Sequence, residues 1–491
     1  MKKLLTLLLA LVIGLSVIAC GGTNDDPFAT RPEWGSNFRA PAYMGGVVTD
    51  RYYYTGAGEE FVFDSKAKDN DRMQVVTNTS AKQFKNYQKK LEANGYKQVF
   101  SNEVNSNLYA QYQKEGTLVY VSYTPAFKEA KIIEDNRSIP LNTISYDYEV
   151  KESDTSVIYQ FGLMNDPVGG NGTQTAVSKY GDNGMFYIFK LADNSVILLD
   201  GGSGIQATDR ATEELVDFLF NITGTPKEDK VRVSALLITH AHGDHKTFPQ
   251  KLIQNYADKF EFERTLYNIP SAVISSTSFK NFGNLIKEKY PNIKYAKVHT
   301  GTKIELANAK IEVVLTHEEL IDPLRGVTLI GDLNDSSTLF KITLDDMTMM
   351  VLADIGGGGS VHEEKYQEFI DRIMPPYKTE KTYDFLKCDI VQVAHHALNY
   401  DLPKIYNAVG AKIALVPQAD CEYNLYAKGN YRKVIDQVIA AGGQELYFQN
   451  RATWALSKDA TGKITANRLP IYGVDDGYME LIAQYAPYSG K

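Results

Sequence analysis

Thr239-His240-Ala241-His242-Gly243-Asp244-His245 packs three imidazoles and a carboxylate into seven residues. Imidazole nitrogen and carboxylate oxygen are donors that zinc and its neighbours accept, and tight binding needs several of them converging on one point. His240 and His242 are two apart, so in extended chain they face the same way, and Gly243 lets the backbone fold Asp244 and His245 back toward them. With 8 histidines in 491 residues, independent placement would give this pattern in roughly one such chain in 10⁴.

The elements that must position these groups are short apolar strands. The run Val233, Ala235 to Ile238 reads as a buried strand ending at the histidine motif, and Ile390 to Val393 reads as another ending at His395-His396. Neighbouring residues of a strand face opposite sides. His395 is therefore expected to bind metal, with His396 behind it or facing a substrate. Asp354 ends the run Met349 to Ala353 ahead of the glycines Gly356 to Gly359, where a carboxylate can bridge two cations. Asp200, after Leu198-Leu199 and before Gly201-Gly202, is expected to orient the histidine loop rather than bind metal itself.

The order Asp200, His240-x-His242-x-Asp244-His245, Asp354, His395-His396 resembles the metallo-β-lactamase superfamily. Within it, the text Asn334-Asp335-Ser336-Ser337-Thr338-Leu339, Val351 to Asp354, Val391 to Ala397, and Ile413 to Pro417 with Asn424 is similar to the nuclease-like domain of DNA-uptake competence channel proteins. The resemblance implies a four-layer αβ/βα sandwich over residues 155–460, an α/β fold with its metal site at one edge. Strand-like runs alternate with helical stretches at Thr212 to Leu219, Lys246 to Tyr256 and Lys433 to Ala441, with a last strand pair near Leu446 to Ser457.

The cofactors expected are two divalent ions, with zinc first and manganese or iron compatible. One is assigned to His240 and His242, the other to Asp244, His245 and His395, with Asp354 between them. A hydroxide shared by the pair attacks the substrate, and Asp244 or His396 manages protons. Two departures leave the substrate open. The segment Gly331 to Ser337 has no histidine, a gap that His299 or His317 fills only if the chain turns back, and Ala397 stands where relatives carry glycine. Phosphodiesters are the expected class. The alternatives are a lactone, β-lactam or thioester hydrolase, or a non-catalytic metal-binding envelope lipoprotein. A site rich in Asp and short of a His leaves room for water, as catalytic sites do.

Met1-Lys2-Lys3, the apolar Leu4 to Ala19 and the following Cys20 read as a bacterial lipoprotein signal. Residues 1–19 would be removed, Cys20 lipidated, and residues 20–41 would tether the protein extracytoplasmically to the cell envelope. Residues 42–150 are expected to form a smaller α+β domain. Ser80 starts a helix carrying Phe84, Tyr87 and Leu91, and a hairpin turns at Lys114-Glu115-Gly116. Its role is open between cap, binding unit and spacer, and residues 461–491 are expected as a tail. Cys388 and Cys421 would pair only if their strands are neighbours. The net charge of -8, about -10 without Lys2 and Lys3, argues against tight nucleic-acid binding, which rests on phosphate neutralisation. Oligomeric state is not legible.

Overall fold

The computed structural model describes residues 38–51, 72–135, 138–145, 156–165, 183–269, 277–319, 333–356, 384–398, 402–420, 430–484 and 487–488. The signal segment, Cys20, Cys421 and Asn424 lie outside the described residues. No helix among the described residues is long and apolar enough to cross a membrane.

The described residues form a mixed α/β structure with three sheets. The first is β1 (Val47–Arg51), β2 (Arg72–Thr77), β3 (Lys97–Val104), β4 (Asn107–Lys114), β5 (Thr117–Thr124) and β6 (Glu129–Asp135), antiparallel in the order β1-β2-β6-β5-β4-β3. Helix α1 (Ala81–Ala93) covers one face with Phe84, Tyr87 and Leu91, and starts where the Ser80 hydroxyl accepts the Gln83 amide, a cap that satisfies one of the open N–H groups of the first turn.

The second sheet contains β7 (Val157–Gln160), β8 (Phe186–Lys190), β9 (Val196–Asp200), β10 (Val231–Ile238), β11 (Phe260–Phe262), β12 (Arg264–Tyr267) and β13 (Lys294–Lys297). The third contains β14 (Lys303–Leu306), β15 (Ala309–Leu315), β16 (Leu339–Leu344), β17 (Met347–Val351), β18 (Ile390–Gln392), β19 (Ile413–Val416) and β20 (Glu445–Phe448). Strands β21 (Thr453–Lys458) and β22 (Ile464–Leu469) return to the second sheet beside β7. The largely apolar β9, β10 and β19, buried along nearly their whole length, fit strands covered on both faces.

The layers follow from which residues pack together. Inner faces of the second and third sheets meet through Tyr187, Leu199, Leu237, Ile342, Val351 and Leu415. Helices α2 (Asp209–Thr223), α3 (Thr247–Asn255) and α4 (Thr277–Lys289) cover the outer face of the second sheet. Helices α5 (Pro403–Val409) and α6 (Asn430–Ala440) cover the third. The order helix, sheet, sheet, helix is a four-layer sandwich.

Two readings of the sequence are corrected here. The strands expected to pair near Leu446 to Ser457 do not pair: β20 joins β19 in the third sheet, while β21 joins β7 and β22 in the second. The stretch expected as a tail supplies β22 and helix α7 (Asp476–Ala483), which packs Tyr478 and Ile482 against Met164.

The face of the first sheet opposite α1 docks on the sandwich. Met73, Tyr109, Tyr120 and Ile133 share one core with Val298, Ile304 and Val313. Gly301, in a turn at φ +86°, sits so close to Tyr109 that any Cβ would enter its ring, and the Gly301 carbonyl accepts from Asn102 Nδ2 at 3.0 Å. Only glycine combines that dihedral with that approach.

Candidate metal centre

The two sheets place their strand ends side by side. β9 ends at Asp200, β10 runs into Thr239 to His245, β17 leads to Asp354 and β18 to His395 and His396. Since β17, β18 and β19 are parallel, their carboxyl ends open at one edge, the usual place for a site in such sheets. The chain leaves these strands through residues other than glycine in left-handed conformation: Asp200 at φ +56°, Ala353 at +51°, His395 at +45°, His396 at +52° and Ala397 at +58°. Each costs on the order of 1 kcal/mol or more, and strain of this kind gathers where side chains must be aimed.

Two sets of donor atoms result, each lying within 4.8 Å of one another: Asp244, His245, Asp354 and His396, and then His240, His242 and Asp354. Asp354 belongs to both. Its Oδ2 is 3.1 Å from His245 Nε2, 3.2 Å from His396 Nε2 and 3.7 Å from His240 Nε2. Its Oδ1 is buried without a hydrogen-bond partner among the described residues. A buried carboxylate oxygen left bare is costly unless a cation takes it, and imidazoles with carboxylates suit zinc, manganese or iron. The residues present therefore fit a pair of divalent cations.

The imidazoles are held from behind. Asp200, fully buried, accepts at Oδ2 from His245 Nδ1 at 2.8 Å and from Thr239 Oγ1 at 2.7 Å, and at Oδ1 from the Thr239 amide at 2.9 Å. With its hydroxyl proton committed to Asp200, Thr239 Oγ1 accepts from His240 Nδ1 at 3.0 Å. His396 Nδ1 donates to the Pro417 carbonyl at 3.3 Å. In all three rings Nδ1 is the donor and Nε2 is turned toward Asp354, the arrangement in which backing groups fix the tautomer that ligates. Gln392 holds the backbone that leads into Asp354: its Oε1 accepts from the Leu352 and Ala353 amides at 2.8 and 2.7 Å.

Electrostatics in the metal-free protein follow from this crowding. Burial lowers the His240 pKa well below the imidazole range, with His245 adding to the effect. Burial acts the same way on His245 and His396, but Asp354 and Asp244 override it, raising His245 well above its ordinary value and His396 to about 9. Burial raises carboxylates, yet Asp354 is held well below its ordinary value by His396 and His245. Protons on His245 and His396 thus occupy positions a cation takes when it binds, and binding must release them.

One assignment from the sequence is reversed. His396, not His395, meets Asp354 and Asp244, the latter at 3.4 Å. The alternation argument fails because the strand stops at Gln392 and the three left-handed residues that follow turn the second imidazole inward. His395 lies half-buried beside the set, its Nδ1 donating to the Leu398 carbonyl at 3.3 Å and its Nε2 accepting from Asn334 Nδ2 at 3.2 Å.

His299 and His317 do not complete the site. His299 is buried at the junction with the first sheet, 2.6 Å from Asp135 Oδ2 through Nε2 and 2.9 Å from Glu318 through Nδ1, with Tyr120 stacked on its ring at 4.5 Å. Burial alone would lower it, but the two carboxylates lift it to about 10. His317, fully buried beside Glu318, is pushed by burial down to about 3. Sequence reasoning gave no role to Thr239, Gln392 or Ser337. A lone Gln inside an apolar strand was the available signal for Gln392.

No protein-family profile matches this sequence, and no curated protein matches it. Solved structures do. The chain is similar to CmlA, a diiron β-hydroxylase from Streptomyces venezuelae, at 12% identity over 64% of this chain and 54% of that one, with a TM-score of 0.31. It is similar to Zn(2+)-bound PqqB from Methylobacterium extorquens at 10% identity over 60% of this chain and 97% of that one, TM-score 0.33. A flavodiiron protein from Giardia intestinalis matches at 12% identity over 67% and 56%, TM-score 0.24. The chain spans about half the length of the β-hydroxylase. Its own geometry carries the reading of the site.

Proposed function

We propose that this chain is a metal-dependent hydrolase of the metallo-β-lactamase type that cleaves phosphodiesters at the bacterial envelope, held there by lipid on Cys20. The observation that carries the catalytic part is Asp354, buried and shared by two converging donor sets with one oxygen left bare. His240 and His242 would hold one divalent cation, Asp244, His245 and His396 the other, and Asp354 both. When bound, such cations lower the pKa of coordinated water and polarise the scissile bond.

This chain's own residues do the rest. Asp200 and Thr239 fix the His245 and His240 tautomers so that donor lone pairs face inward before any ligand arrives. His395, whose pKa burial lowers, accepts from Asn334 and would exchange a proton with substrate, a role expected from the sequence for Asp244 or His396. The phosphodiester class rests on the sequence resemblance alone. The acidic chain argues for a small diester over a long polyanion.

A panel of bis(p-nitrophenyl) phosphate, a lactone, a β-lactam and a thioester on one metal-loaded sample tests this. Metal-dependent turnover of the diester is expected. Turnover of another ester without the diester would replace the substrate class, and turnover of none would leave a non-catalytic metal-binding lipoprotein.

A further inference from the structure

The segment 333–338, where no histidine supplies a ligand, has another task. The Thr338 amide donates to the Thr239 carbonyl at 2.9 Å, Ser337 Oγ accepts from the Asp354 amide at 3.2 Å, and Asn334 reaches His395. These contacts brace the three loops that carry the donors. Behind the brace stands Asn268. It follows Tyr267, whose register partner is Ile238, so it lies beside Thr239, and Thr338 Oγ1 makes a long 3.5 Å contact to its carbonyl. Its Nδ2 donates to the Val298 carbonyl at 2.6 Å and to Glu318 Oε1 at 3.0 Å. Glu318 also accepts from Thr316 Oγ1 at 3.0 Å and from His299, and His299 is held in turn by Asp135. Asp135, His299, Glu318, Asn268, Thr338 and Thr239 are each at most 2% exposed, so this chain of contacts has no solvent to replace a lost member.

We propose that Asp135, at the end of the last strand of the N-terminal sheet, is a positioning residue for the metal centre, acting through His299, Glu318 and Asn268 on the brace at Ser337-Thr338. A buried imidazolium left with one carboxylate, or a buried Glu318 left without its imidazolium, must shift to find another partner, and Asn268 moves with Glu318. The N-terminal sheet is thereby part of the apparatus that aims His240 and Asp354. The inference rests on the metal-site reading above.

The test compares full-length wild type, Asp135→Asn and Lys131→Met in detergent. Lys131 joins Glu319 and Glu129 at the same junction, outside this chain of contacts, so its loss reports general weakening of the interface. Hydrogen exchange is followed in the metal-free proteins over residues 239–245 and 334–338, and zinc affinity by chelator competition. Asp135→Asn is expected to speed exchange in both segments and weaken zinc binding about tenfold, as loss of groups backing metal ligands does. Lys131→Met is expected to change neither. Unchanged exchange and affinity in Asp135→Asn, or equal effects in both variants, would overturn the inference. If Asp135→Asn does not fold, the same readouts are taken on Asn268→Ser, which cuts the path nearer the site and leaves the Asp135, His299 and Glu318 ions whole; no change there would also overturn it. A wild type that takes up no zinc would remove the metal-site reading, while exchange in the metal-free proteins would still judge the coupling.

Discussion

Adjacent substitutions at His395 and His396 have opposite expected outcomes. His396→Ala removes a donor 3.2 Å from Asp354 and one whole corner of a four-residue set, so the purified variant is expected to lose at least one of two metal equivalents. His395→Ala is expected to keep both and to lose turnover by about 10²-fold or more, the usual effect of removing a proton-exchanging group. Elemental analysis beside a rate assay separates them, and equal metal loss in both would return His395 to the ligand set. The residue types and their spacing were readable from the sequence because strand ends carrying His and Asp are rare. Which of two neighbouring imidazoles faces in was not, because alternation holds only while the backbone stays extended, and here it leaves that conformation at His395. The bracing groups were equally hidden: Thr239 and Ser337 look like ordinary polar loop residues until their partners, far away in sequence, are known.

At the scale of elements, local chemistry was legible and long-range pairing was not. Ser80 capping α1, the turn between β4 and β5, and the apolar periodicity of helices α2, α3 and α6 are set by neighbours in sequence. β20 and β21 misled because consecutive strands usually pair, whereas these two diverge to different sheets across the short crossing Gln449 to Ala452. The junction of sheets makes a pH-dependent prediction. His299 titrates near 10 when folded against 6.5 as its ordinary value, so its ion triad contributes fully below pH 6.5, and the contribution shrinks as pH rises toward 10. Thermal midpoints are expected to fall less steeply from pH 7 to 10 in His299→Gln than in wild type. Parallel slopes would show that this imidazole does not carry a proton in the folded protein.

Among the described residues, the sandwich and the N-terminal sheet share an apolar core and buried ion pairs, Asp135 and Glu318 with His299 and Glu319 with Lys131. Chain length and the reach of the family resemblance set residues 42–150 apart from residues 155–460 in the sequence, but a sequence cannot show that Gly301 lies on Tyr109. Gly301→Ala must take a strained φ and push that ring away, so it is expected to cost more than about 2 kcal/mol and to lower the single unfolding midpoint of the full chain, seen by calorimetry. Two separated transitions, with only the first one shifted, would instead show units that melt independently. The chemistry proposed for the site requires paired cations at Asp354. The most direct measurement is the metal content of the purified full-length protein and of Asp354→Ala. About two divalent ions per chain are expected in the first and at most one in the second, since the shared carboxylate serves both donor sets. Fewer than one ion in wild type after loading, or an unchanged content in Asp354→Ala, would contradict it.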